Sequence, residues 1–247
     1  VLNRAAEAPS LISLGHRIGL IKELSPDLVV VLRFTKALAC LTPERFVKNI
    51  LIEKMSAREV YVGENFYFGN KACAGVKELQ ALGKPFGLQV HVVKALKVDG
   101  KRVSSSLIRT LIARGELKRA AYFLGRPVSV LGTVISGANL ARQLGYPTAN
   151  LNPHHEVVPP SGVYAVLVKY ASRVYAGILN IGVRPTFYAP RDREKAIEVH
   201  IFAFRRNIYG RVLEVFFVRK IRDERAFAGR NELIEQIKNN EKAALTL

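Results

Sequence analysis

The chain has 247 residues, which is enough for one large domain or two modest ones. With 49% hydrophobic and 23% charged residues, its composition is that of a globular protein with a substantial core. No apolar run approaches the ~20 residues of a membrane-spanning helix, so we expect no membrane partner. The two cysteines, Cys40 and Cys73, are too few for a disulfide framework and suit a reducing compartment. We therefore expect a cytoplasmic protein.

The net charge is +18 at pH 7. Such an excess attracts polyanions, among them nucleotide phosphates. Alternatively, the excess Lys and Arg residues only form a well-solvated surface and bind no specific partner. Because no basic helix with interleaved aromatic residues is evident, nucleic-acid binding is not favoured as the main function. The sequence carries no signal for an oligomeric state.

Strand and helix patterns alternate up to about residue 124. The predicted strands cover residues 28–34, 59–62 and 88–96. The predicted helices cover residues 42–55, 76–82 and 104–114. Thr42 is the expected N-cap of the first helix, and Pro43 suits its first position. Strands separated by helices predict a parallel sheet of Rossmann-like type, with the 28–34 strand buried on both faces.

From residue 125 onward the hydrophobic period drops to two, which is typical of antiparallel strands. The predicted strands cover residues 128–135, 162–170, 174–181, 196–204 and 212–218. Short strands in succession favour an antiparallel barrel, and an amphipathic helix over 231–244 closes the chain. We therefore predict two domains, an α/β domain over 1–124 and a β-barrel with a C-terminal helix over 125–247.

Residues 137–151 form a glycine-punctuated loop that runs into Pro147-Thr148-Ala149-Asn150. Glycines let the backbone approach an anion and present N–H groups to phosphate oxygens. Thr148 and Asn150 offer two hard oxygen ligands that point the same way if the segment is extended, which suits Mg²⁺ beside phosphates. The alternative is an ordinary loop with an Asx-turn.

A carboxylate interrupts the predicted strand 196–204. Glu198 and His200 alternate there with apolar Ile197, Val199 and Ile201. A carboxylate in such a strand is either a solvated residue of the outer face or a placed functional group. The alternation alone leaves both interpretations open.

Two further segments in the α/β half combine polar groups with a loop or a helix start. Asn65 lies among aromatic residues between Gly63 and Gly69, which suits a planar ring, although core aromatics at a strand end are the alternative. Residues 103–109 place serine hydroxyls and an arginine at a helix start, which is typical of an anion site. The alternative there is a serine N-cap with a surface arginine.

Residues 137–151 resemble the ATP and Mg²⁺ signature of riboflavin kinases. The segments that continue this match are Gly162-Val163-Tyr164, the 180–186 stretch, Glu198-Val199-His200, Tyr209-Gly210 and the 221–224 stretch. The resemblance covers residues 125–247 and implies ATP contacts and a general base. It assigns ATP binding to Gly137, Arg142, Gly145, Thr148 and Asn150, Mg²⁺ to Thr148 and Asn150, general-base catalysis to Glu198 and a flavin contact to Arg222.

The first half resembles the adenylyltransferase domain of the bacterial bifunctional riboflavin kinase/FMN adenylyltransferase, or FAD synthetase, family. The resemblance assigns its nucleotide site to Asn65, Ser104, Ser105 and Arg109. The family's first motif, Gly-x-Phe-Asp-Gly-x-His-x-Gly-His, is absent, and Gly15-His16 fits a later helix instead. The α/β domain is therefore expected to be N-terminally incomplete. As written, the chain is not expected to adenylylate FMN unless residues exist upstream of Val1.

The resemblance as a whole implies a kinase that converts riboflavin and ATP to FMN and ADP with Mg²⁺. One alternative is the full bifunctional enzyme, which also makes FAD from FMN and ATP. A second alternative is a non-catalytic flavin- or nucleic-acid-binding protein built on the same barrel.

Overall fold

The computed structural model describes residues 9–136, 146–183, 195–225, 227 and 229–246. Spatial contacts divide the chain into two compact units, one of residues 28–103 and one that joins residues 1–27 to 104–247. Three predicted ATP contacts lie outside the described residues, namely Gly137, Arg142 and Gly145. The domain boundary near residue 124 stays a prediction.

The elements follow one another along the chain in a helix-rich first half and a strand-rich second half. The helices are α1 (Leu14–Lys22), α2 (Lys36–Ala39), α3 (Pro43–Arg45) with a π-helical continuation (Phe46–Lys54), α4 (Val76–Gly83), α5 (Ser105–Ala113), α6 (Leu117–Leu124) and α7 (Arg230–Leu245). The strands are β1 (Glu59–Gly63), β2 (Gln89–Val93), β3 (Lys97–Val98), β4 (Lys101–Arg102), β5 (Ser129–Ile135), β6 (Ala149–Asn152), β7 (Gly162–Tyr170), β8 (Arg173–Val183), β9 (Lys195–Ile201) and β10 (Val212–Arg222). No described helix is both long and apolar enough to cross a membrane.

In the unit of residues 28–103, β1 and β2 pair in parallel, as the alternating pattern predicted. Thr42 caps α3 by accepting a hydrogen bond from the Arg45 N–H at 3.3 Å, and Pro43 takes the first helical position. The apolar faces of the helices and strands meet in one cluster. Its buried members are Val47, Leu51, Val62, Phe68, Ala74, Leu79 and Leu88.

The segment 28–34 forms no strand in the structure, so the prediction of a doubly buried strand there is wrong. Leu28 is 77% exposed and Phe34 is 53% exposed. A strand exists only through hydrogen bonds to a neighbouring strand. Apolar composition supplies strand propensity but no partner, and no described strand pairs with this segment.

The second unit is built on a closed barrel with the strand order β10-β5-β6-β9-β8-β7, and all of its pairs are antiparallel. This confirms the predicted barrel. Alternate side chains fill its interior and are almost fully buried; they include Val130, Val168, Leu179, Val199 and Val215. Helix α7 packs against β7, β8 and β10. The short strand β6 was not predicted, and it places Asn150 inside the sheet.

Candidate functional site

Three polar residues lie side by side across three barrel strands. Asn150 of β6 is paired with Glu198 of β9, and Glu198 is paired with Asn180 of β8. Residues that oppose one another directly share one face of the sheet, with Cβ atoms about 5 Å apart. We call Asn150, Glu198 and Asn180 the polar row. The structure thus brings together Asn150 and Glu198, which the sequence singled out separately.

The polar row faces away from the apolar interior of the barrel. Val199 and Leu179, the chain neighbours of Glu198 and Asn180, are at most 1% exposed and fill the interior. Side chains alternate between the two faces of a strand, so the row lies on the opposite face. Glu198 and Asn180 are partly buried there, and Asn150 is only 5% exposed. Glu198 is therefore an outer-face residue that stands between two amide side chains.

A second carboxylate approaches this face from the loop after β10. An ideal Cβ built on Gly182 of β8 would lie 2.5 Å from Oε1 of Glu224 and 3.5 Å from Nδ2 of Asn180. A side chain at Gly182 would displace the Glu224 carboxylate from this position. Sequence analysis noted residues 221–224 and Asn180 as parts of motifs but assigned no role to Glu224 or Asn180.

A pocket of about 390 Å³ lies at β6 and β9, on the face of β9 opposite the polar row. Thr148 lines it, together with Val199 and Ile201 from that face of β9, whereas Asn150 and Glu198 do not. The full lining is Val134, Pro147, Thr148, Ala149, Val199, Ile201, Phe204, Arg205, Arg206, Asn207, Ile208 and Tyr209. Sequence analysis missed Arg205 and Arg206, although two consecutive arginines beside a predicted phosphate site are a usable signal.

Arg222, the predicted flavin contact, is attached to helix α7. Its Nε donates to Oδ1 of Asn240 at 3.2 Å, and its Nη1 donates to the Asp223 carbonyl oxygen at 2.9 Å. Asn240 is 3% exposed and also accepts from Gln236 at 3.0 Å. Burial, followed by the nearby Arg225 charge, lowers the pKa of Arg222. The guanidinium thus links the end of β10 to the C-terminal helix.

In the unit of residues 28–103, Asn65 lines a pocket of about 260 Å³ with Gly63, Glu64, Phe66, Val93, Ala95 and Arg102. With its amide oxygen turned toward Arg102, Asn65 accepts from both terminal guanidinium nitrogens, at 3.0 and 2.7 Å. Nη1 of Arg102 is also 3.7 Å from Oε1 of Glu64. Sequence analysis missed Arg102 because it reaches this pocket from another strand, β4.

Ser104, Ser105 and Arg109 lie in the other unit, at the start of α5. Oγ of Ser104 accepts from the Leu107 N–H at 3.2 Å, so Ser104 is a helix N-cap. Ser105 is exposed in the first turn. Nε of Arg109 is buried and has no hydrogen-bond partner among the described residues. The cap anticipated as the alternative is therefore present, and the arginine retains a donor for a further acceptor.

Comparison with known proteins identifies the family. The riboflavin kinase model matches residues 124–247, and the FAD synthetase model matches residues 1–107. The bifunctional riboflavin kinase/FMN adenylyltransferase of Bacillus subtilis is 34% identical over 248 residues, which cover 99% of this chain and 78% of that protein. This chain belongs to the bifunctional riboflavin kinase/FMN adenylyltransferase family. The protein of the same name from Haemophilus influenzae is 35% identical over 95% of this chain and 75% of that protein.

A solved structure shares the architecture. The crystal structure described as a macrolide-efflux protein from Streptococcus pneumoniae matches 96% of this chain and 76% of that chain, with a TM-score of 0.78 and 28% identity. The predicted family, fold class and riboflavin kinase function are confirmed, and the full bifunctional enzyme is supported as well. The family uses ATP to phosphorylate riboflavin to FMN and also forms FAD.

Proposed function

We propose that the polar row is the catalytic centre of riboflavin phosphorylation, with Glu198 as the general base. The observation that carries this proposal is the pairing of Glu198 with Asn150 across β6 and β9. The ribityl 5′-hydroxyl gives its proton to the Glu198 carboxylate, its oxygen bonds to the γ-phosphorus, and the bond to ADP breaks. A placed base contributes roughly 10²–10⁴-fold to such a step.

Thr148 and Asn150 are the proposed protein ligands of Mg²⁺. Both residues offer neutral oxygens, a hydroxyl and an amide carbonyl. These donors fit Mg²⁺, which keeps several waters and takes further oxygens from substrate phosphates. Bound there, Mg²⁺ would neutralise phosphate charge. Asn150 is almost buried and is paired with Glu198, which supports a shared role of the two residues at the reacting end of the nucleotide.

The pocket that Thr148 lines, on the face of β9 opposite the polar row, is the proposed ATP site. Its volume of about 390 Å³ falls within the range of small-molecule sites, and its walls combine apolar side chains with Arg205 and Arg206. The apolar walls suit the adenosine. Thr148 lines the pocket and lies two residues before Asn150, which supports a path for the phosphates around this edge of the sheet to the polar row. Gly137, Arg142 and Gly145 remain proposed ATP contacts, and Arg222 a proposed flavin contact.

The substitution Glu198→Gln tests the base. It keeps the shape and a hydrogen-bonding oxygen but cannot accept the proton, so we expect FMN formation to fall by at least ~10²-fold while ATP still binds. Chromatography of FMN and ADP measures turnover, and calorimetry measures ATP binding. Glu235→Gln, on the exposed side of α7, is the matched control. Turnover of Glu198→Gln near that of the control would remove Glu198 from the mechanism.

The adenylyltransferase is the second proposed activity, supported by the FAD synthetase match and by the pocket at Asn65. Within the unit of residues 28–103, Asn65 is a proposed nucleotide contact whose amide Arg102 fixes. Within the other unit, Ser104, Ser105 and Arg109 are proposed nucleotide contacts. The same chromatography follows FAD made from FMN and ATP. FAD formation would support the second activity in this chain. Its absence would support the expectation that adenylyl transfer needs the Phe-Asp-Gly-x-His stretch.

The domain boundary and the cellular location also belong to this proposal. We place the boundary between residues 124 and 125, where the riboflavin kinase match begins within one residue. The cytoplasm remains the proposed location, since both exposed cysteines are free thiols.

A further inference from the structure

We propose that His200 is a positioning residue of the kinase site, which holds the segment that carries Thr148 and Asn150 against strand β9. The inference rests on the proposed function, because it matters for catalysis only if that segment binds the nucleotide and its metal. It assigns a task to a side chain on the same strand as Glu198.

The central observation is a single hydrogen bond. Nδ1 of His200 lies 2.8 Å from the carbonyl oxygen of Pro147. A carbonyl oxygen only accepts, so Nδ1 carries the hydrogen whether the ring is neutral or protonated. The bond joins the residue just before Thr148 to a residue two positions after Glu198. It therefore connects the segment of the proposed metal ligands to the strand of the proposed base.

The backbone provides little other coupling between these two strands. The ladder between β6 and β9 pairs Asn150 with Glu198 and Ala149 with Val199. One more step would set Thr148 opposite His200, but the ladder stops there. Pro147 cannot extend it, because proline has no N–H to donate. Beyond the last main-chain pair, the His200 side chain therefore provides the hydrogen bond between the two segments.

Neighbouring rings and a close strand fix the imidazole. Tyr146 meets it edge to face with ring centres 5.6 Å apart, and Phe202 does so at 5.7 Å. Such edge-to-face pairs prefer a defined mutual orientation. On the other side of β9, an ideal Cβ on Gly177 would lie 2.5 Å from the His200 carbonyl oxygen, so β8 supports the main chain closely. The donor is therefore held in place before substrate arrives.

Loss of this bond should weaken the binding of MgATP rather than the binding of riboflavin. Without the donor, the Pro147–Thr148 peptide can drift away from β9, and Thr148 and Asn150 lose their shared placement relative to Glu198. A net hydrogen bond corresponds to about 3–10-fold in an equilibrium constant. Misplacement of about 1 Å at a reacting centre reaches 10²-fold in rate. We expect an increase in the KM for MgATP and a fall in kcat, with the KM for riboflavin nearly unchanged.

Two substitutions separate the donor from the ring. His200→Phe keeps an aromatic ring between Tyr146 and Phe202 but removes the donor. His200→Asn removes the ring but places an amide N–H as many bonds from Cα as Nδ1. If His200 positions the segment, His200→Phe raises the KM for MgATP by about 3–10-fold, and His200→Asn recovers most of the loss.

A purely structural role gives the opposite order. If only ring packing matters, His200→Phe behaves as the unaltered protein while His200→Asn is impaired, and that result overturns the proposal. Urea unfolding of each variant shows whether a kinetic loss merely follows a loss of folded protein.

Asn150→Ala and Glu198→Gln, measured beside them, separate this inference from the proposed function. If both keep full turnover, the proposed catalytic centre is wrong. If both lose turnover while His200→Phe keeps the KM and kcat of the unaltered protein, the centre stands and only the role of His200 falls.

Discussion

At Gly177 of β8, the main chain of β9 comes so close that no side chain fits. A Cβ at this position would approach the His200 carbonyl oxygen to 2.5 Å, and the obstacle is backbone rather than the movable end of a side chain. Gly177 is paired with Ile201, just beyond the strand positions that carry Glu198 and His200. The absence of a side chain therefore lets β8 support the strand of the proposed base.

We expect Gly177→Ala to destabilise the protein by about 1–3 kcal/mol, because β8 and β9 must separate to admit the methyl group. Gly19→Ala is the matched control. Gly19 lies inside α1 with nothing within 4 Å of its Cβ position, so alanine should stabilise the helix by roughly 0.5–1 kcal/mol. Urea unfolding measures both changes. An equal increase in the free energy of unfolding for both variants would show that β9 moves away from β8 without a loss of stability.

The residues of the candidate site were only partly predictable. Glu198 and Asn150 were singled out because their segments resemble riboflavin kinase motifs, whereas the residue pattern alone left a solvated strand face and an ordinary loop open. His200 was quoted in the same pattern without a task, because its partner Pro147 is distant in the chain and only the fold brings them together. The position of Glu224 near the polar row could not be predicted, because it depends on a close approach to Gly182 that only the fold reveals.

Helix α1 is attached to the barrel by a buried cluster of four polar residues. Nδ1 of His16 lies 3.0 Å from Oε2 of Glu156, and Nε2 lies 3.3 Å from Oε1 of Glu214. Ser129 donates to Oε1 of Glu214 at 3.0 Å, and the Leu131 N–H donates to Glu156 at 3.0 Å. We call His16, Glu156, Glu214 and Ser129 the His16 cluster. It joins α1 to β5, to β10 and to the loop after β6.

Charge in the His16 cluster makes the attachment of α1 depend on pH. Burial by itself would lower the pKa of His16, but the hydrogen bonds and charges of Glu156 and Glu214 outweigh it and raise the pKa from 6.5 to about 9. Burial opposes ionisation of the two carboxyls, yet their bonds to His16 and its neighbours lower both pKa values. At neutral pH the cluster therefore holds a protonated imidazole between two carboxylates.

The raised pKa of His16 sets the direction of the pH effect. Protonation of folded His16 contributes at most about 3 kcal/mol below pH 6.5, and this contribution falls as the pH rises and disappears above about 9. The lowered carboxyl pKa values act at the other end, where stability is lost as the pH falls below the usual 4.5. We expect His16→Gln to flatten the loss between pH 6.5 and 9 in urea unfolding.

His91→Gln is the control for the His16 prediction. His91 also contacts a carboxylate, Glu59 at 3.1 Å, but its side chain is 42% exposed. Solvent screens such a pair, so its substitution should change stability by less than about 1 kcal/mol at any of these pH values. If His16→Gln and His91→Gln give the same pH profile, the buried cluster does not hold the charge that its geometry implies.

The elements themselves were predicted unevenly, for physical reasons. Residues 59–63 and 89–93 form strands as expected because each finds a parallel partner in the other. The 28–34 run has equal strand propensity but no described partner, so composition misled the prediction. Strand β6 was missed because Pro147 and Thr148 read as a turn, whereas pairing with β5 and β9 draws residues 149–152 into the barrel. Partner availability is a property of the whole fold that local sequence does not carry.

The whole molecule carries 38 Lys and Arg residues against 20 Asp and Glu. An excess of this size attracts polyanions regardless of any specific site, chiefly by counterion release. Within the barrel unit, Arg205 and Arg206 place part of the charge at the proposed ATP pocket. Anion binding therefore has two separable contributions, one from the net positive charge of the whole molecule and one from the proposed ATP pocket.

Salt distinguishes these contributions and tests the alternative of a nucleic-acid-binding protein. If RNA binds only through diffuse charge with six to ten phosphate contacts, its affinity should fall by about 10³–10⁵-fold between 50 and 200 mM salt. Riboflavin-dependent ADP release should continue at 200 mM, because the proposed site would hold the nucleotide by shape and short contacts as well as by charge. Fluorescence anisotropy of labelled poly(U) measures the first, and coupled ADP detection measures the second. Poly(U) that stays bound at 200 mM salt and competes with ATP would instead indicate that the barrel carries a specific nucleic-acid site overlapping the kinase pocket.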